Sequence, residues 1–127
     1  MENKKALKLI EKIQKNISEN GIDIEQSVND LMELRTFAID EKIPRLAKCI
    51  RLTCEHLNEY EGFFIPQPDD ELVDEDGEVI GIIETANDSD VDSLLYLLSI
   101  MKDPHNKINH EEIGEYVTAL KEYAAEN

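Results

Sequence analysis

Apolar residues recur at steps of four, three and four in one segment after another of this chain, and that 3.6-residue period confines most of it to amphipathic helices. In residues 3 to 18 the series is Ala6, Ile10, Ile13 and Ile17, with Leu9 beside it and a lysine-rich face opposite. Asn20-Gly21 supplies a stop. In residues 24 to 39 the stripe is Ile24, Val28, Leu31, Met32, Arg35 and Ile39, widened by Phe37-Ala38. A third helix opens at Pro44, which a first turn tolerates because its missing N–H would be unpaired there anyway. It runs to Tyr60 through Leu46, Ala47, Ile50, Cys54 and Leu57, with Ile43 just ahead of it.

Two more helices follow a break. Ser89-Asp90-Val91-Asp92 resembles a capping box with Asp in place of the usual Glu, and the helix it opens reaches about Lys102. Val91, Leu94, Leu95, Leu97, Leu98, Ile100 and Met101 make it apolar nearly all round, the mark of a central helix. The last helix is expected from Glu111 to about Ala125 behind a second capping box, Asn109-x-x-Glu112, with Ile113, Tyr116, Val117, Leu120 and Ala124 inward.

Between these groups, residues 61 to 87 lose the helical period. Gly62, Pro66, Pro68, Gly77 and Gly81 punctuate them, and Leu72-Val73 and Val79-Ile80-Gly81-Ile82-Ile83 flank Asp76-Gly77, a dipeptide suited to a tight hairpin turn. An isolated hairpin is marginal, so its order would require Phe63, Phe64, Ile65, Ile82 and Ile83 to lie on the helical core. The expected architecture is mainly all-α. Residues 1–127 form one domain, an antiparallel bundle of about five helices with an acidic loop or short β-hairpin insertion at about 61–87. Its expected core is Ile10, Ile13, Ile17, Val28, Leu31, Ile50, Leu57, Leu94, Leu95, Leu98, Val117 and Leu120.

The 127 residues are 41% hydrophobic and 33% charged, which suits a folded domain with a heavily charged exterior. The longest apolar run, Leu94 to Met101 broken by Ser99, is far short of the roughly 20 residues of a membrane span. Met1-Glu2-Asn3-Lys4-Lys5 leads into an amphipathic helix rather than an apolar signal region, so a cytoplasmic location is expected. Cys49 and Cys54 stand about 140° apart around a helix, too divergent for a disulfide, and read as small core hydrophobes. Lys48 and Arg51 leave open a thiolate at Cys49.

Charge divides the chain. Residues 1 to 60 carry 10 Lys/Arg against 11 Asp/Glu, and residues 61 to 127 carry 3 against 18, so nearly all of the net charge of -16 lies in the second part. Its densest run places Asp69, Asp70, Glu71, Asp74, Glu75, Asp76 and Glu78 within ten residues. Such a run is solvated, holds a cation, or meets a basic partner. These seven residues are the candidate interaction surface. Lys42, Arg45, Lys48 and Arg51, at three-residue steps on the third helix, are expected either to face this acidic segment or to form a solvated face.

Enzyme signatures are missing: there is no phosphate-binding Gly-rich loop, no G-x-S-x-G, no H-E-x-x-H, and no dinucleotide fingerprint. No catalytic residue and no cofactor is assigned. The three histidines show no metal-ligand pairing. Residues 103 to 112 resemble the second part of an EF-hand loop and its exiting helix, with Ile108 and Glu112 in the aliphatic and bidentate positions. The ligand positions before them fall on Met101 and His105 and the glycine position on Asn106, so the resemblance implies no calcium site. Asp74-x-Asp76-Gly77 has a D-x-D-G core but lacks the closing ligand. Direct nucleic-acid binding is disfavoured by the net charge. The leading expectation is a small acidic protein-interaction module that binds a basic protein partner. The alternative is a divalent-cation or small-ligand domain using the acidic loop, and a third reading is an inhibitor, immunity-like or nucleic-acid-mimicking protein.

Overall fold

A computed structural model describes residues 1–68, 71–73, 79–82 and 89–126. Five helices form where the periodicity places them: α1 (Lys4–Asn20), α2 (Ile24–Asp40), α3 (Pro44–Tyr60), α4 (Val91–Met101) and α5 (Lys107–Glu126). Two three-residue connections join the first three. Gly21 ends α1 at φ 76°, a left-handed conformation that glycine adopts without steric cost. Asn3, Asp23 and Asp90 cap α1, α2 and α4, each accepting backbone N–H groups that the first helical turn leaves unpaired.

The helices are neighbours in the closed order α1, α2, α3, α5, α4 and back to α1. Consecutive helices alternate in direction. A ring with an odd number of members cannot alternate throughout, however, and the parallel pair is α3 with α5. Arg45 Nη1 donates to the His110 carbonyl at 3.3 Å near both N-termini. The His56 and Tyr123 rings meet at 4.9 Å near both C-termini. The expectation of an antiparallel bundle therefore needs this correction at one interface.

Ten of the twelve expected core residues are buried, and Val28 and Leu95 are half-buried. Phe63 and Ile65 also join the core, placing the start of the 61–87 segment on the helices. On α2 the buried stripe is Ser27, Asp30, Leu31, Leu34 and Ala38, rotated roughly 90° from the expected one. Met32 and Ile39 are 44% and 51% exposed. Asp30 is admitted to the interior because Lys12 Nζ lies 3.6 Å from its Oδ1 and Gln26 donates to its Oδ2 at 3.0 Å. α5 begins four residues before its expected start. Asn106 rather than Asn109 accepts the first-turn N–H groups, from Ile108 at 3.0 Å and Asn109 at 3.2 Å.

Two short strands, β1 (Glu71–Val73) and β2 (Val79–Ile82), pair antiparallel with Glu71 opposite Ile82 and Leu72 opposite Gly81. The turn expected at Asp76-Gly77 and the contacts expected of Ile83 lie outside the described residues. None of the described helices is long and apolar enough to cross a membrane.

Candidate functional site: the root of the acidic segment

Of the seven candidate interaction residues, Asp69, Asp70, Asp74, Glu75, Asp76 and Glu78 lie outside the described residues, and Glu71 is placed in β1 by its backbone. What the structure does show is how the chain leaves the bundle for this run and returns. The Phe63 N–H donates to Ser89 Oγ at 2.9 Å, and the Asp90 N–H donates to the Phe63 carbonyl at 2.6 Å. Departure and return thus share one point. Gly62 makes the approach possible: a Cβ there would stand 3.0 Å from the Phe64 ring and 3.3 Å from the Ser89 Cβ. Ser89 is spent on this closure, so the α4 cap falls to Asp90, which accepts from the Ser93 N–H at 2.8 Å.

The root rests on an aromatic cluster built around His56. Tyr60, Phe63, Phe64 and Tyr123 surround its ring at centroid distances of 4.9, 5.6, 6.1 and 4.9 Å, in tilted or edge-on arrangements. His56 Nε2 accepts from the Phe64 N–H at 3.1 Å, which requires that nitrogen to be unprotonated. Burial lowers its pKa from the usual 6.5 to about 4. Nothing in the sequence pattern groups these rings, because they come from the end of α3, the segment after it and the end of α5. Only the clustering of Tyr60, Phe63 and Phe64 around the end of α3 hints at it.

Tyr116 supports the cluster from below, its ring 6.3 Å from Phe63 and its hydroxyl 2.9 Å from Ser93 Oγ and 3.1 Å from the Ser93 carbonyl. Tyr96 on α4 donates to Glu112, which commits the carboxylate at the bidentate position of the EF-hand-like stretch to a structural bond. Residues 107 to 112 of that stretch are helix, and Ile108 is 64% exposed. Among the described residues no group of three His, Cys, Asp or Glu side chains is placed to hold a metal ion.

The thiols are not poised for reaction. Cys49 and Cys54 are buried, and desolvation pushes their pKa values up to about 12 and about 11. This overturns the thiolate reading of Cys49, since Lys48 points to solvent rather than towards the sulfur's pocket. Among the described residues, Lys42, Arg45, Lys48 and Arg51 form no ion pair with a carboxylate. Arg45 instead lies across Gly114, where a Cβ would stand 3.1 Å from its Nη1. Lys48 sits beside Lys121, whose hydrogen-bonding proximity and charge, with some desolvation and the charge of Arg51, lower its pKa.

α3 and α5 run parallel, so their C-termini lie side by side, and neither has a basic residue in its last turn to offset the exposed carbonyl dipoles. From Leu52 to Met101 the chain contains no Lys or Arg at all. No family model matches this chain, and no curated protein or solved structure shows significant similarity to it.

Proposed function

We propose that this protein is a small interaction module that offers the acidic segment, as a loop or hairpin spanning about 61–87, to a basic protein partner. The observation that carries the reading is the closed root. The segment whose sequence holds the seven carboxylates leaves the bundle at Phe63 and rejoins it at Ser89 and Asp90, beside two uncompensated helix C-termini. Negative charge tethered to a folded domain at such a root speeds encounter with a cationic surface and orients it on arrival.

The test uses the full chain and a variant with Asp69, Asp70, Asp74 and Asp76 replaced by Asn. Immobilised wild-type chain should retain a basic protein at about 50 mM salt and release it near 1 M, where screening acts over roughly 3 Å. With that partner purified, the variant should associate at least about tenfold more slowly at low salt with little change in dissociation. A partner held equally by both chains at both salt concentrations overturns the reading. Titration of calcium or magnesium into the wild type is the companion measurement. Stoichiometric binding lost in the Asn variant would assign the run to a cation instead.

A further inference from the structure

The upper part of the groove between the parallel helices α3 and α5 encloses about 510 Å³ beside the root, room for one long side chain. Leu52, Leu120 and the exposed Ala124 give it an aliphatic lining, and the half-buried Tyr60 and buried His56 rings an aromatic one. Glu55 and Glu59 stand on its rim, four residues apart on one helix face, where two carboxylates repel each other. Neither forms an ion pair with a Lys or Arg among the described residues. Lys121 also lines the groove, where its ammonium neighbours that of Lys48 and forms no ion pair with Glu55 or Glu59.

An aliphatic lining, an aromatic one and two unpaired carboxylates form a receptor for a long cationic side chain. The methylenes lie along the aliphatic lining, the charged head meets the carboxylates, and the ring face adds a cation–π contribution. Arginine fits better than lysine, because its planar fork can engage two carboxylates at once. We infer that this groove takes an arginine side chain from a basic, partly apolar segment of the partner, Glu55 and Glu59 binding the guanidinium and Tyr60 with Leu52 and Leu120 holding the stem. The inference rests on the basic-partner reading above and extends it from long-range attraction to a defined contact. The groove adjoins the root of the acidic segment: Tyr60 packs against Tyr123 at 4.8 Å and against His56, which holds Phe64 at the start of the segment.

The probe is an acetylated, amidated peptide of alternating arginine and leucine, titrated into the full chain with amide chemical shifts and fluorescence anisotropy as readouts. Shifts should move at Leu52, Glu55, Tyr60 and Leu120. A Glu55→Gln/Glu59→Gln variant alters only exposed side chains, so it should fold as wild type and bind the peptide about tenfold more weakly. The same peptide with citrulline in place of arginine should lose most of its affinity. Unchanged affinity in the double Gln variant, with loss in the Asp→Asn variant of the acidic run, overturns the groove and leaves the basic-partner reading standing. The converse pattern upholds the groove and overturns the run as a recognition surface. No binding to either surface at millimolar peptide overturns both.

Discussion

His56 shows how much one proton can decide. Its Nε2 accepts the Phe64 N–H inside a ring of four aromatic side chains, so the folded state holds the neutral imidazole. The unfolded chain takes up a proton near pH 6.5, while the folded one resists until about pH 4. The contribution is therefore complete above pH 6.5, is lost progressively as the pH falls towards 4, and changes no further below that. Thermal unfolding between pH 7 and pH 4 should show a decline in Tm that is smaller in His56→Gln, which keeps an acceptor without the titration. Parallel Tm profiles for the two proteins would remove His56 as the source. Glu55, Glu59 and Tyr60 on its own helix and Lys121 and Tyr123 on α5 are unchanged in both proteins, so their contributions cancel in the comparison.

At the level of the helices, depth of burial separates residues that share one sequence pattern. Leu98 is fully buried and Leu95 only half-buried, because α4 packs against α1 and α5 and turns its third side outward. Leu98→Ala should destabilise by about 2–5 kcal/mol and Leu95→Ala by about 1–2 kcal/mol, measured by urea unfolding. Equal losses would contradict the placement of α4. Helix positions and most of the core were legible in the sequence, since Ile10, Ile13 and Ile17 or Ile50, Cys54 and Leu57 leave one apolar face to bury. The face of α2 was not. Val28, Met32, Arg35 and Ile39 follow the same four-three-four steps as Ser27, Leu31, Leu34 and Ala38, and the true stripe contains a Ser and borders the buried Asp30. Periodicity cannot choose between two such stripes; of the partners of Asp30, Gln26 lies one turn away on α2 itself, and Lys12 comes within reach only once α1 is in place. At the start of α5, Asn106 and Asn109 are both competent caps by residue type, and Asn106 takes the role because Asn109 already lies in the first turn, its own N–H donating to Asn106 Oδ1.

For the molecule as a whole, the ring of five helices has one parallel seam, and the cavity beside the root lies in it. The sequence announced the acidic run by composition alone, whereas the seam, the aromatic cluster and the glutamate rim required the topology. A further experiment follows from the closed root. Replacing residues 67–87 with a flexible linker of about six residues, while keeping Phe63, Ile65, Ser89 and Asp90, should leave helical circular dichroism and cooperative unfolding intact. Loss of cooperativity would show that the excised residues complete the core. Closure cost rises only by about 0.6 kcal/mol for each doubling of loop length, so the bundle is nearly indifferent to how much chain is carried between Phe63 and Asp90. The joint acts as a socket. Insertions, deletions and wholesale exchange of the segment are open to natural variation or to a designer without renegotiating the helices, and under the proposed reading what the molecule recognises can diverge while what holds it together stays the same.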